Sequence, residues 1–273
     1  MEKKTKVNIL AIQMSSEIGQ IRVNIEKVRK LLEKNLLSYR ADFVFLPEVW
    51  TVGWDCQSFS NCAEIFDDAE SIKMLQRIAK TYDVNIIGGS VIEKKSDGIL
   101  ANSCPIINRK GELVSTYEKN HLFSYYGCDE GKYIRAGENP VLVELDGIKI
   151  GVSICYDIRF PEIYRAYRKA GADILVNMAA WGAAKKIPWD SMTTARAVEN
   201  QTYFVALTQT GKLREGENLG HSMILDYKGD VLSEINKIEG GISATIDLEE
   251  MYVFRDKCRV LDDIKNSYEV VKI

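Results

Sequence analysis

Short apolar runs and helical repeats alternate along this chain. Val7-Asn8-Ile9-Leu10-Ala11-Ile12-Gln13-Met14 is apolar-rich and reads as a buried strand. From Ile21 to Leu37 the apolar residues Ile21, Ile25, Val28, Leu31, Leu32 and Leu36 follow helical spacing. Asp42-Phe43-Val44-Phe45-Leu46 is the next strand, ended by Pro47. The pattern starts a second helix at Asp67, with Glu70 three residues on in a box-like arrangement, and carries it to about Tyr82. Val84 to Ile92, Leu100 to Asn108 and Glu112 to Glu118 read as three strands, the last two joined by a turn at Arg109-Lys110-Gly111.

The second half repeats the theme. Asp146-Gly147 between Val141–Leu145 and Ile148–Ile154 is a strong hairpin signal. A helix from about Pro161 to Lys169, a strand from Asp173 to Met178, a helix from about Pro188 to Gln201 and a strand from Tyr203 to Thr208 follow. A late hairpin surrounds Lys228-Gly229, and Ile242 to Leu248 is the last clear strand. Residues 249–273 are charged with scattered aromatics and suit a docking tail. Strands that alternate with helices, yet sometimes pair as hairpins, imply α/β layers with mixed sheets. Two sheets with helices outside and one doubly wound sheet fit this pattern equally.

Composition narrows the function. Apolar residues make up 46% and charged residues 27% of 273, ordinary for a globular protein. With 36 basic against 39 acidic residues the net charge of -3 gives no field to steer nucleic acid or an anionic membrane, so neither is expected as a partner. Met1 to Lys6 lead into the first strand without the apolar stretch of a signal peptide, and no run approaches the roughly 20 apolar residues of a membrane span. The expected location is the cytoplasm. None of the six cysteines forms a C-x-x-C pair and there are two histidines, so neither a metal site nor a disulfide framework is expected. No G-x-G-x-x-G opens a helix after a strand, which argues against a dinucleotide fold; no cofactor is expected.

Three positions carry candidate chemistry. Cys155 closes the strand Ile150-Gly151-Val152-Ser153-Ile154 and precedes Pro161, which suits the first turn of a helix. A thiol at such a turn lies near backbone N–H groups and a positive helix end, which favour thiolate and can hold an oxyanion. Glu48 ends another apolar strand beside Trp50; a carboxyl near apolar neighbours suits a base that takes and returns a proton. Lys119 leaves a cation at a third strand end, where an ammonium can stabilise an oxyanion. Taken singly, each is equally an inert thiol, a loop carboxylate or a solvated lysine.

Together they are specific. Leu46-Pro47-Glu48, Tyr117-Glu118-Lys119-Asn120-His121-Leu122-Phe123 and Cys155-Tyr156-Asp157-Ile158-Arg159-Phe160-Pro161-Glu162 occur in this order, followed by Trp189, Ala195-Arg196-Ala197-Val198-Glu199-Asn200-Gln201 and Gly220-His221-Ser222. The chain resembles the nitrilase superfamily of carbon–nitrogen hydrolases over nearly its whole length. The resemblance implies a four-layer α-β-β-α sandwich with two mixed sheets, forming one domain over residues 1–273, and a homodimer or higher homo-oligomer. It also implies a catalytic triad of Glu48, Lys119 and Cys155, with Glu130 as a second glutamate that orients Lys119 or the substrate.

The stretch from His121 through Glu130 to Gly137 is most similar to the omega-amidase branch, which deamidates small 2-oxo acid amides through a cysteinyl thioester. The sequence departs from many relatives in Met178-Ala179-Ala180-Trp181-Gly182 and in having Lys185 and Lys186 at the pocket. Oxyanion binding is expected from the Tyr156 backbone, substrate-carboxylate binding from Arg159, Lys185 or Lys186, and pocket walls from Tyr125 and Trp181. An N-carbamoyl-amine hydrolase with the same triad and a non-catalytic binding subunit are the alternatives. A Cys–His dyad is not needed, since Glu48 supplies the base; His221 reads as a structural hydrogen-bonding residue and His121 as a strand-end residue.

Overall fold

A computed structural model describes residues 5–125, 127–265 and 269–272; residues 1–4, residue 126 and the tail positions 266–268 and 273 lie outside them. Its first sheet contains β1 (Lys6–Gln13), β2 (Phe43–Phe45), β3 (Asn85–Ile87), β4 (Val91–Lys94), β5 (Leu100–Ile107), β6 (Leu113–Glu118) and, from the far end of the chain, β13 (Gly240–Asp247). The order is β13-β1-β2-β3-β5-β4, with β6 also on β5. The second contains β7 (Val141–Leu145), β8 (Ile148–Ile154), β9 (Ile174–Ala179), β10 (Tyr203–Thr208), β11 (His221–Leu225) and β12 (Val231–Asn236), in the order β12-β11-β10-β9-β8-β7. Each sheet is parallel at its centre, β1/β2/β3 and β8/β9/β10, and antiparallel outside.

The two-residue period of the strands sorts the layers. On β1, Val7, Ile9 and Ala11 join the core shared with the second sheet, while Leu10 and Ile12 pack with Val28 and Leu32 of α1 (Ile21–Ser38) and Leu75 and Ile78 of α2 (Glu70–Tyr82). On the far side, α3 (Pro161–Lys169) and α4 (Lys186–Asn200) cover the second sheet. Gly151 makes room there: a Cβ would stand 2.6 Å from the Tyr167 ring. The result is helix, sheet, sheet, helix, with two mixed sheets. It resolves the choice that the pattern left open.

Three sequence expectations change. Val84–Ile92 is two strands, because Gly88-Gly89-Ser90 turns the chain under Pro47; Gly89 has φ +65° and a Cβ on it would lie 2.2 Å from the Pro47 carbonyl oxygen. The second helix begins at Glu70 rather than Asp67. Its first turn is held by Glu64, which accepts from Ser71 Oγ at 2.9 Å, while Asp68 pairs with Lys73. The last strand, expected over Ile242 to Leu248, ends at Asp247, and Leu248 begins a helix. Asp247 caps α5 (Leu248–Lys257) by accepting from the Glu249 N–H at 3.0 Å, and Leu248 and Met251 are buried.

Candidate active site

Glu48, Lys119 and Cys155 stand at three strand ends that the two sheets bring to one point. Glu48 follows β2 by three residues, and the turn after it is fixed from below: the Val49 N–H donates to Ser90 Oγ at 2.9 Å, and the Gln209 amide donates to the Glu48 carbonyl at 2.6 Å. Lys119 follows β6; its N–H donates to Asn102 O at 2.9 Å and its carbonyl accepts from Gly137 N at 2.8 Å. Glu130 arrives on the loop 123–130, which closes on itself as the Phe123 N–H donates to Glu130 Oε2 at 2.6 Å.

Cys155 ends β8 with φ +47°, a left-handed backbone that a side chain adopts at a cost of order 1–3 kcal/mol. Asp157 sustains it. The fully buried carboxylate accepts from Ile154 N at 2.8 Å, Tyr117 Oη at 2.6 Å and His121 N at 3.0 Å, and its Oδ1 lies 2.8 Å from His121 Nδ1. Asn177 Nδ2 donates to the Cys155 carbonyl at 3.4 Å.

The charged groups are in direct contact. The Lys119 ammonium donates to Glu48 Oε1 at 2.9 Å and to Glu130 Oε1 and Oε2 at 3.0 and 2.9 Å, and stands 5.1 Å from the Trp54 ring centroid. Asn102 Nδ2 donates to Glu48 Oε1 at 3.0 Å and Ala180 N to Oε2 at 2.8 Å. Burial pushes the lysine toward neutrality, but Glu130 and Glu48 outweigh it and hold its pKa well above the usual lysine range. Burial raises the Glu130 carboxyl, against the pull of Lys119.

Burial likewise pushes the Cys155 thiol well up. Glu48 pushes the same way, and Lys119 pulls it down. This burial opposes the pull of the helix end, and a thiol held up in this way needs a base beside it to take its proton as it attacks.

Cys155 opens into a chamber of about 70 Å³ lined by Tyr156, Arg159, Trp181 and Lys185, among others. Trp54 and Phe123 line it too, and Trp54 rather than Trp50 is the tryptophan at the chamber. Trp50 is instead a core residue whose Nε1 donates to Gly88 O at 2.8 Å. Tyr125 is 56% exposed and does not line the chamber; its ring sits 6.1 Å from Phe123 and 5.9 Å from Tyr156, and Phe123 forms the wall expected of it. Lys186 is also outside. As the first residue of α4 it turns to Asp190 and stands 3.3 Å from His221 Nδ1. His221 lies between Asp190 and Glu234 at 2.9 and 3.0 Å, and His121 stacks on Phe160 at 3.6 Å. Asp157 had a legible signal, an acidic residue three positions past Ile154 at a strand end. Phe123 and Trp54 had none, because loops bring them in.

Comparison with known proteins agrees with this architecture. A family model described as carbon–nitrogen hydrolase matches residues 9–256. A Bacillus subtilis protein named 2-oxoglutaramate amidase is 37% identical over 263 residues, covering 96% of this chain and 99% of that one. An Arabidopsis thaliana protein named chloroplastic omega-amidase is 35% identical over 254 residues, covering 89% and 68%. The crystal structure of Saccharomyces cerevisiae Nit3, described as a member of branch 10 of the nitrilase superfamily, superposes with a TM-score of 0.87 at 25% identity, covering 94% of this chain and 96% of that one.

Proposed function

The chain belongs to the carbon–nitrogen hydrolase family, and from that premise we propose that it hydrolyses a small carboxylate-bearing amide, of the 2-oxo acid monoamide type, to the acid and ammonia through a thioester on Cys155. One observation carries the substrate class. Arg159 and Lys185 line the chamber, neither has a carboxylate partner among the described residues, and no Asp or Glu lines it. Both cations lie against aromatic faces, Arg159 5.5 Å and Lys185 5.3 Å from the Trp181 centroid. An amide with a carboxylate at its far end supplies the anion these cations lack. The names of the Bacillus and Arabidopsis relatives point to the same class.

Each step uses side chains and water. Glu48 takes the Cys155 proton as the sulfur attacks the amide carbon. The carbonyl oxygen takes up negative charge facing the Lys119 ammonium and the Tyr156 backbone N–H. Glu48 passes its proton to the nitrogen, the C–N bond breaks, and ammonia leaves a thioester. A water then gives a proton to Glu48 and attacks the thioester carbon. The C–S bond breaks, and the proton returns to sulfur. One water is consumed, and one acid and one ammonia are released. Glu130 holds Lys119 in place and balances its charge.

On this reading the whole chain is one hydrolase domain that works as a homodimer or higher homo-oligomer in the cytoplasm, with the segment after residue 249 docking at the subunit contact. Six unpaired thiols suit a reducing compartment, and Ile187, Val198 and Leu232 leave apolar surface exposed. Among the described residues no helix is long and apolar enough to cross a membrane.

An ammonia-release screen over 2-oxoglutaramate, glutamine and N-carbamoyl amines tests the function. Ammonia from the 2-oxo monoamide without carbon dioxide is the expected result. Ammonia together with carbon dioxide from carbamoyl amines alone would replace it with carbamoyl hydrolysis. No release from any compound would favour a binding subunit.

A further inference from the structure

The chamber at Cys155 is the inner of two connected spaces. Outside it lies a cleft of about 760 Å³, and both are lined by Trp54, Phe123, Gly182, Lys185 and Leu213. These five residues form the ring that the two spaces share. Four of them come from segments flanking the catalytic strands; Leu213 comes from a separate hairpin, 211–217.

That hairpin is anchored unevenly. Its base is tied by backbone: Asn218 N donates to Gly211 O at 2.8 Å, Ala183 N to Glu217 O at 2.8 Å and Leu219 N to Trp181 O at 2.6 Å. Its tip turns at Gly216, φ +86°, and among the described residues one side chain of the tip, Arg214, bonds to the rest of the molecule. Arg214 donates from Nη1 to Gln57 Oε1 at 2.9 Å, and its Nη2 lies 2.9 Å from Asp55 Oδ2. The Asp55 side chain is only 5% exposed, so this carboxylate needs its cation, and the guanidinium fork fixes direction as well as distance. Within 211–217 Leu213 is the one apolar side chain, half-buried between exposed neighbours. It faces the ring with no polar group to offer, so its contribution is volume.

We propose that Leu213 limits the length of acyl chain the Cys155 chamber accepts, and that the Arg214–Asp55 ion pair holds it at that depth. With the amide at Cys155 and the carboxylate at Lys185, a short chain ends inside the ring; a longer one drives its carboxylate against Leu213. The inference takes its substrate series from the amidase reading above.

The test measures kcat/KM for straight-chain dicarboxylic monoamides of increasing length in wild type, Leu213→Ala, Leu213→Phe and Arg214→Ala. In parallel, derivatives of the same monoamides with chlorine on the carbon next to the amide alkylate Cys155 with loss of chloride, a reaction that needs no turnover, and intact-mass spectrometry gives the rates. Leu213→Ala should raise the long-to-short ratio by on the order of 10-fold or more, Arg214→Ala should raise it less, and Leu213→Phe should lower it. Shifts of opposite sign from one position cannot come from misfolding. Turnover by wild type with an unchanged ratio in all variants would overturn the inference and leave the amidase reading standing. No turnover of any amide, with the alkylation ratio still shifting, would overturn the amidase reading and leave the inference standing. Flat ratios in both assays overturn the inference.

Discussion

Glu48 Oε1 accepts a 2.9 Å hydrogen bond from the Lys119 ammonium at a place where neither side chain has any solvent exposure. The same ammonium serves Glu130, so one cation is shared by two buried carboxylates. Removing one partner of a buried ion pair typically costs about 3–5 kcal/mol, because the remaining charge is left uncompensated.

Lys119→Met should therefore lose stability as well as activity. Removing one oxyanion donor costs on the order of 10²–10³ in kcat, and a charged one at least that. The stability loss depends on pH through Glu130, whose folded pKa is raised above its ordinary 4.5. A carboxyl with a raised folded pKa stabilises the fold below its unfolded value, and that contribution is lost as pH rises through the folded value. Without the pull of Lys119 that folded value moves higher. Thermal melts should show a smaller deficit for the variant in mildly acidic buffer than at neutral pH; a deficit independent of pH would contradict the charge argument.

The resting state of Cys155 is open to direct measurement. Burial holds its pKa well above the ordinary thiol value of 9.0. Its alkylation by iodoacetamide, followed by peptide mass spectrometry, should keep accelerating into the alkaline range with no plateau near neutrality. Glu48→Gln should slow it near neutral pH, where the carboxylate accepts the proton. A plateau below the ordinary thiol pKa would mean a preformed thiolate.

Glu48→Gln should also separate the two halves of the reaction. The amide keeps the shape and can still accept from Ala180 N, but it cannot take a proton. With an activated ester the variant should acylate slowly and then stall as the thioester, because nothing prepares the water. Rapid mixing would show a single burst without steady turnover. Steady turnover at the wild-type rate would move the base to another residue.

Arg159→Gln and Lys185→Met test the anion site. Each should raise KM for a carboxylate-bearing amide by roughly 10-fold or more, as expected for loss of a charge-assisted contact, with a smaller change in kcat. Lys186→Met, outside the chamber, should leave KM near the wild-type value. A KM unaffected by both chamber variants would place the carboxylate elsewhere.

What the sequence revealed follows the range of the interactions involved. The hairpin Val141–Leu145/Ile148–Ile154, announced by Asp146-Gly147, and the helix Pro161–Lys169, started by proline, have the bounds that local rules give them. So too the strand ends bearing Glu48 and Cys155 were readable, because each closes an apolar run, and that of Lys119 because it closes a run rich in β-branched and aromatic residues. The break in Val84–Ile92 was not, since its cause is the close approach of Gly89 to Pro47 on a neighbouring segment. The chamber wall was least readable. Trp54, Phe123 and Leu213 sit on loops with no period, and Lys186 differs from Lys185 only in where one residue of rotation points its side chain.

In the proposed mechanism Cys155 carries the acyl group. Quenching the enzyme during turnover of a 2-oxo acid monoamide and digesting it for mass spectrometry tests this most directly. The mass of the acyl group should appear on the peptide containing Cys155, disappear on treatment with hydroxylamine, and be absent in Cys155→Ala, which should be folded and inactive. An acyl adduct on Cys56, Cys62, Cys104, Cys128 or Cys258 instead, or sustained turnover by Cys155→Ala, would contradict the account.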